Sequence, residues 1–399
     1  MLHIYEMLRR APRHVSFHTP GHKRGKWDIT ELSFSDNLSA PNGVILRAER
    51  DIAQILGSAR SFILTDGSTC GVLCMLYASK VRRLFVPRDA HRSVFHGCKL
   101  MGIEIVRGGE DGGELPRVTS AEEIEAAEAI DGVLLTSPDY YGRIPDLKAI
   151  RAACDRRGLL LLIDGAHGGH LHGEANYAGN YADLWVDGVH KSLPALTQGA
   201  VVSARTQALG EALSEAADIF RTSSPSYPIM ASVEYAVKAK KNEKVRKYAI
   251  CLQKKCGIRN QDWTKLVVPF GGAADEAQRY LEKRRVYAEF NDGNFLMFYI
   301  SDRNRLRELK RLDRLLCKLK RAPAAARPAH VRGARRGAVV LLPPQEAVGK
   351  TCAKSFGLFP PCIPLAAEGE IVTSDDAARL ARARGTFGTE EGKISVYEG

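Results

Sequence analysis

The stretch LLLLIDGAHGGH, Leu159 to His170, decides how the chain is read. An apolar run of strand length ends in Asp164, followed by small residues and a histidine. A carboxylate at the tip of a buried strand is costly unless something cationic meets it. Ala166 carries so little bulk that a flat ring has room above it. The competing reading is a carboxylate that caps a neighbouring loop.

Outward from this segment the pattern repeats. Strand-like runs stand at Ser61–Leu64, Arg83–Pro87, Ile103–Val106, Gly132–Thr136, Leu184–Val186 and Ala200–Ser203, with helical stretches between them. Together with Leu159–Asp164 they predict an α/β fold with a mainly parallel seven-stranded sheet and helices on both faces. Ligands of such sheets sit at the carboxyl ends of the strands. Thr206 to about Lys255 reads as helical, interrupted at Ser223–Pro228. Beyond it a strand (Lys265–Val268), a helix (Ala273–Lys283), two strands (Val286–Phe290, Phe295–Ile300) and a helix ending near Lys320 predict a smaller α/β domain. The expected division is an arm over 1–45, a large domain over 46–260 and a small C-terminal domain over 261–399. A flexible linker is expected at 321–337, where Ala, Pro and Arg follow one another without a period.

Composition narrows the class. With 45% apolar and 26% charged residues the chain resembles ordinary globular proteins, and no run nears the roughly 18 apolar residues of a membrane span. The start, MLHIYEMLRRAPRH, lacks the layout of a secretion signal, so a cytoplasmic protein is expected. Nine dispersed cysteines without a CxxC pair predict reduced, packed thiols and no metal site. The net charge of +12 is concentrated between Arg303 and Arg336. Leucines at helical spacing there predict an amphipathic helix with its cations in solvent, and no aromatic residues interleave with them as single-strand binders require. This argues against a nucleic-acid partner.

Three further segments follow predicted strands. LTDGSTCG (Leu64–Gly71) brings Gly67, Ser68 and Thr69 to a helix start, where N–H groups, hydroxyls and the helix dipole suit a phosphate. The bland alternative is a plain helix cap. WVDGVHKSLPALTQGA (Trp185–Ala200) places Lys191 after a strand and a turn, between His190 and Ser192. A lysine captures carbonyls when burial and cationic neighbours depress its pKa, although most lysines are only solvated charges. VPRDAHRSVFHG (Val86–Gly97) carries His91, which could stack on a conjugated ring.

With these segments in place, the sequence resembles the ornithine/lysine/arginine decarboxylase family of fold-type-I, aminotransferase-like pyridoxal phosphate enzymes. FHTPGHKRG (Phe17–Gly25), DNL (Asp36–Leu38), TSSPSYPIMAS (Thr222–Ser232) and FPPCIPLAAEGE (Phe359–Glu370) look like family signatures in the family's order. The resemblance implies pyridoxal 5'-phosphate held as a Schiff base on Lys191, with Asp164 pairing with the ring nitrogen so that the ring acts as an electron sink. It implies His91 against one face of the ring and Ala166 against the other. Gly67, Ser68, Thr69 and His190 would lie at the phosphate, and His167 near the substrate carboxylate or the phenolic oxygen. Thr222 and Ser223 would reach a phosphate across a dimer interface, so a homodimer or higher assembly with a shared site is implied. The implied reaction is decarboxylation of arginine, lysine or ornithine to the amine, feeding polyamine synthesis. The implied form is the short one, without a receiver-like wing domain.

Two departures stand out. The family usually reads Ser-Thr-His-Lys where this chain has Gly188-Val189-His190-Lys191, so a phosphate-contacting hydroxyl is missing. The tail has PPCIP and AEGE in place of PPGIP and PGE, which places Cys362 and Glu368 in a loop near the substrate region of relatives. Two alternatives follow: another reaction on the same scaffold, such as transamination, or a catalytically impaired cofactor-binding or nucleic-acid-binding protein.

Overall fold

Seven strands form the principal sheet: β1 (Arg60–Leu64), β2 (Arg83–Val86), β3 (Glu104–Arg107), β4 (Gly132–Thr136), β5 (Leu160–Gly165), β6 (Leu184–Asp187) and β7 (Ala200–Ala204). The computed structural model describes residues 1–23, 27–108, 113–324 and 326–398, so the last two residues of the Phe17–Gly25 signature lie outside it. The strand order is β1-β7-β6-β5-β4-β2-β3. Only β7 runs antiparallel to its neighbours.

Both faces are covered, which is why the strands read as continuous apolar runs. Successive residues feed opposite cores: Leu161 and Ile163 join Val133, Leu135 and Trp185 on one side, against helices Val44–Leu56, Leu147–Arg157 and Tyr227–Lys238. Leu162 joins Leu134, Leu184 and Val186 on the other, against helices Gly67–Ser79, Arg92–Met101 and Gln207–Phe220. Each fully buried Leu, Ile or Val contributes about 1.5–3 kcal/mol relative to exposure. In this register Asp164 lies between Thr136 of β4 and Val186 of β6. Gly158, at φ 64, ends helix Leu147–Arg157 in the left-handed region and turns the chain into β5.

A second sheet, β8 (Lys265–Pro269), β9 (Phe290–Asn291) and β10 (Phe295–Tyr299), is antiparallel in the order β8-β10-β9. Helices Glu243–Cys256, Ala274–Glu282 and Leu306–Leu316 pack on it. Three details differ from the sequence reading. The expected strand Val286–Phe290 pairs only from Phe290, because Arg285 takes φ 55 and the Val286 N–H returns to the Leu281 carbonyl to close the helix. The expected interruption is present, but it lies between Phe220 and Tyr227, and Pro228 sits in the first turn of Tyr227–Lys238, where its missing N–H costs nothing. Within 321–337, expected as a flexible linker, several described residues hold distant partners. Ala322 bridges to Phe270, Arg327 pairs with Gly113 and forms an ion pair with Asp292, and His330 meets Asp376 at 2.8 Å. Local composition cannot show such distant carboxylates.

Under the principal sheet Glu49 is buried, accepts a hydrogen bond from the Ile63 N–H at 3.0 Å, and is pushed up by burial to about 7. A raised carboxyl pKa means that the folded state holds the proton more tightly. Its stabilising contribution is complete below about 4.5 and is lost as pH rises through about 7. Glu49→Gln is therefore expected to gain stability relative to the parent chain between pH 4.5 and 7.5, on the order of 2 kcal/mol. Denaturant unfolding across that range checks it; a pH-independent difference would refute the burial argument.

Candidate active site

The carboxyl ends of the parallel strands open onto a cavity of about 570 Å³. Its lining includes Gly67, Ser68 and Thr69 after β1, His91 after β2, Asp164 at the end of β5 with Ala166 and His167 just beyond it, and His190 and Lys191 after β6. The structure thus brings nine sequence-predicted residues into one pocket, with Asp164 and Lys191 on shared walls. Thr222 and Ser223 do not line it. They lie in the turn before helix Tyr227–Lys238, where the Thr222 N–H reaches Asp66 Oδ2 at 3.4 Å.

Burial controls the charge states. Asp164 is 3% exposed, and burial raises its carboxyl, with Lys191 and a 3.1 Å hydrogen bond from the Ala166 N–H pulling the other way. Among the described residues no cation lies within ion-pair distance of it. Lys191 is lowered, chiefly by burial. His91 caps helix Arg92–Met101: its Nδ1 accepts from the Ser93 N–H at 3.2 Å, and burial pushes it down to about 3. It therefore presents a neutral ring with Nε2 as the only protonated nitrogen. His190 donates from Nδ1 to the Gly199 carbonyl at 2.9 Å and is also lowered by burial. His167 stands with Nε2 3.3 Å from Lys191 Nζ and Nδ1 3.1 Å from Lys265 Nζ, and burial pushes it well below its ordinary value.

The departures from the family pattern acquire physical causes. A Cβ on Gly188 would fall 2.4 Å from the Ala166 carbonyl oxygen, so this backbone admits only glycine there. Val189, 1% exposed, is part of the core beneath the sheet and directs no polar group to the cavity. Thr197 and Gln198, both with polar side chains, line the same pocket. Cys362 has φ 64, a left-handed conformation that suits the glycine usual at this position in the family. Restoring the family serine through Gly188→Ser is expected to destabilise the fold by about 1–3 kcal/mol, as overpacking does. Thermal or denaturant unfolding reads it, and a neutral substitution would show that the β6 turn yields.

Sequence reasoning missed Tyr140, Thr197, Gln198, Glu289 and Tyr299 in the lining, and Lys265 behind it. Glu289 and Tyr299 come from the second sheet region, about a hundred residues from Lys191 in sequence. One signal was present: Asp262 and Lys265 are an opposite-charge pair at the mouth of the apolar strand β8, and both are fully buried.

These features fit pyridoxal phosphate. A buried carboxylate without a cation, an amine on the same cavity, a neutral imidazole, a side chain as small as Ala166 and a helix start with two hydroxyls match its ring nitrogen, aldehyde, ring faces and phosphate in turn.

Comparison with known proteins agrees. Residues 26–270 match the family described as Orn/Lys/Arg decarboxylase, major domain. The chain is 27% identical to the YaaO protein of Bacillus subtilis, over 98% of this chain and 97% of that protein. It is 25% identical to an arginine decarboxylase of Halalkalibacterium halodurans, over 92% and 89%. The fold superposes on the lysine decarboxylase of Francisella novicida with a TM-score of 0.78 at 16% identity, covering 99% of this chain and 80% of that one. The chain therefore belongs to the Orn/Lys/Arg decarboxylase family: it is a decarboxylase, and pyridoxal 5'-phosphate is its cofactor.

Proposed function

We propose that this pocket decarboxylates a basic amino acid, arginine, lysine or ornithine, to the corresponding amine. The observation that carries the reading is that Asp164 and Lys191 line one cavity at the sheet's carboxyl edge. When bound, the cofactor supplies an electron sink for the pair left on the α-carbon as CO2 departs.

The chain's own residues do the rest. Lys191 offers the amine that holds the aldehyde. Asp164 provides the fixed negative charge that keeps a ring nitrogen protonated, a charge that its burial makes costly without such a partner. His91 and Ala166 would meet the two faces of the ring, and Ser68, Thr69 and the first N–H groups of helix Gly67–Ser79 would receive the phosphate. His167, beside Lys191, is placed to orient the reacting carboxylate or to move a proton. Asp89 and Glu289 add two acidic side chains to the lining, which favours a substrate with a cationic tail. Thr222 and Ser223 serve the site of a second copy in a homodimer, and the amine product enters polyamine synthesis in the cytoplasm. The large and small domains divide near residue 260.

Incubating the purified protein with each of the three amino acids and measuring CO2 and amine tests the reading. Stoichiometric amine and CO2 from one of them supports it. Keto acid without CO2 would instead favour transamination.

A further inference from the structure

Lys265 is fully buried on β8, outside the cavity lining, yet its amine reaches the chemistry through one ring. Its Nζ lies 3.1 Å from His167 Nδ1, while His167 Nε2 lies 3.3 Å from Lys191 Nζ. A neutral imidazole has one N–H and one lone pair, so it can accept from only one of two ammonium groups. Burial, first of all, and the cationic neighbourhood keep His167 neutral, and burial alone has that sense whichever lysine carries the charge. One lysine must then be an uncharged amine that receives the imidazole N–H.

The surroundings decide which one. Lys265 sits 3.5 Å over the ring of Tyr299, its direct cross-strand partner, and 3.6 Å from Asp262 Oδ2. Asp262 is held ionised, below the usual carboxylate range, with His170 Nε2 2.9 Å from its Oδ1 and the Thr264 N–H and hydroxyl donating to that oxygen at 2.9 and 2.7 Å. A π face and a carboxylate are what an ammonium needs in a dry interior. Burial and the neighbouring Lys191 lower Lys265 to about 8 while Asp262 holds it up, so it is the contact geometry, a ring face and a carboxylate, that marks Lys265 as the ammonium. Lys191 has no such cradle. Asp164 and Glu289 act on it only at longer range, His91 and His190 are neutral, and the Cys362 thiol and Tyr140 hydroxyl carry no charge at neutral pH.

We propose that Lys265 is a positioning residue whose ammonium fixes His167 as the Nε2–H tautomer, and that this N–H donates to Lys191 and keeps it as the uncharged amine able to attack an aldehyde. The proton that Lys191 gives up passes to solvent, and Lys265 keeps its own. The inference rests on the reading of Lys191 as the aldehyde-binding amine.

The test uses the full chain stripped of cofactor. Competitive labelling with acetic anhydride, followed by mass spectrometry of the Lys191 peptide across pH 6–11, reports the midpoint at which Lys191 loses its proton. In the unmutated chain the midpoint is expected well below that of an exposed lysine; an ordinary midpoint overturns the proposal whatever the variants do. In Lys265→Met, only the Tyr299 hydroxyl remains at His167 Nδ1, at 3.4 Å, and because a hydroxyl can accept as well as donate, the ring can take the Nδ1–H tautomer and accept from Lys191 at Nε2. Its midpoint is expected to rise by at least one pH unit, with capture of added pyridoxal phosphate at pH 7 slowed about tenfold. A folded Lys265→Met chain with an unchanged midpoint refutes the coupling. If the unmutated chain fails to capture pyridoxal phosphate at all, the functional reading fails instead, and the two outcomes are separate.

Discussion

Lys191→Ala is expected to abolish turnover, with CO2 release falling by at least ~10³-fold, the range in which removal of a nucleophile or a proton-transfer group lies. Lys191 is the only lysine among the described residues lining the cavity. It opens onto the cavity, and burial lowers its pKa, which raises the share of the uncharged amine that carbonyl capture requires. The variant should fold as the parent does, because the side chain lies at a cavity wall and not in either apolar core. Two readings are needed, CO2 release and the visible absorbance of the chain mixed with pyridoxal phosphate. The band of lysine-bound cofactor should vanish with the activity. A parental band in the variant would mean that another amine holds the aldehyde, with Lys265 the first candidate.

Asp164→Asn is the second large effect. Asparagine preserves the shape and can still accept from the Ala166 N–H, so the change isolates the charge. Without it a ring nitrogen would lose the anion at the end of β5 proposed to keep it protonated, and the electron sink weakens. The expected loss is about 10²–10³-fold in kcat, or roughly 3–4 kcal/mol, the scale of losing one preorganised electrostatic contact in a dry site. KM should change far less, because the charge matters most when electrons arrive on the ring. An Asn variant within tenfold of the parent in kcat would remove Asp164 from the chemistry.

What could be read from the residues was whatever local pattern determines. The seven strands announced themselves because burial on both faces leaves no polar interruption, and the pocket residues were legible because each stands just past a strand end. Tyr299, Glu289 and Lys265 were not legible from that rule. Lys265 and Tyr299 lie on the second sheet and Glu289 just before its strand β9, and the approach of Lys265 and Tyr299 to His167 depends on how two sheets meet. The stretch 321–337 misled for the same reason: Arg327 and His330 look idle in a run of Ala, Pro and Arg until Asp292 and Asp376 are brought to them.

The alternation of β5 between two apolar cores has a consequence for evolution and engineering alike. Asp164 shares its phase with Leu162, so the same packing that seats Leu162 against Leu134 and Leu184 also aims the carboxylate. Sliding the strand by one position would swing the acid to the far side of the sheet. Catalytic accuracy is thereby inherited from hydrocarbon fit, and a cavity opened deep in that layer would blunt the enzyme without touching its pocket.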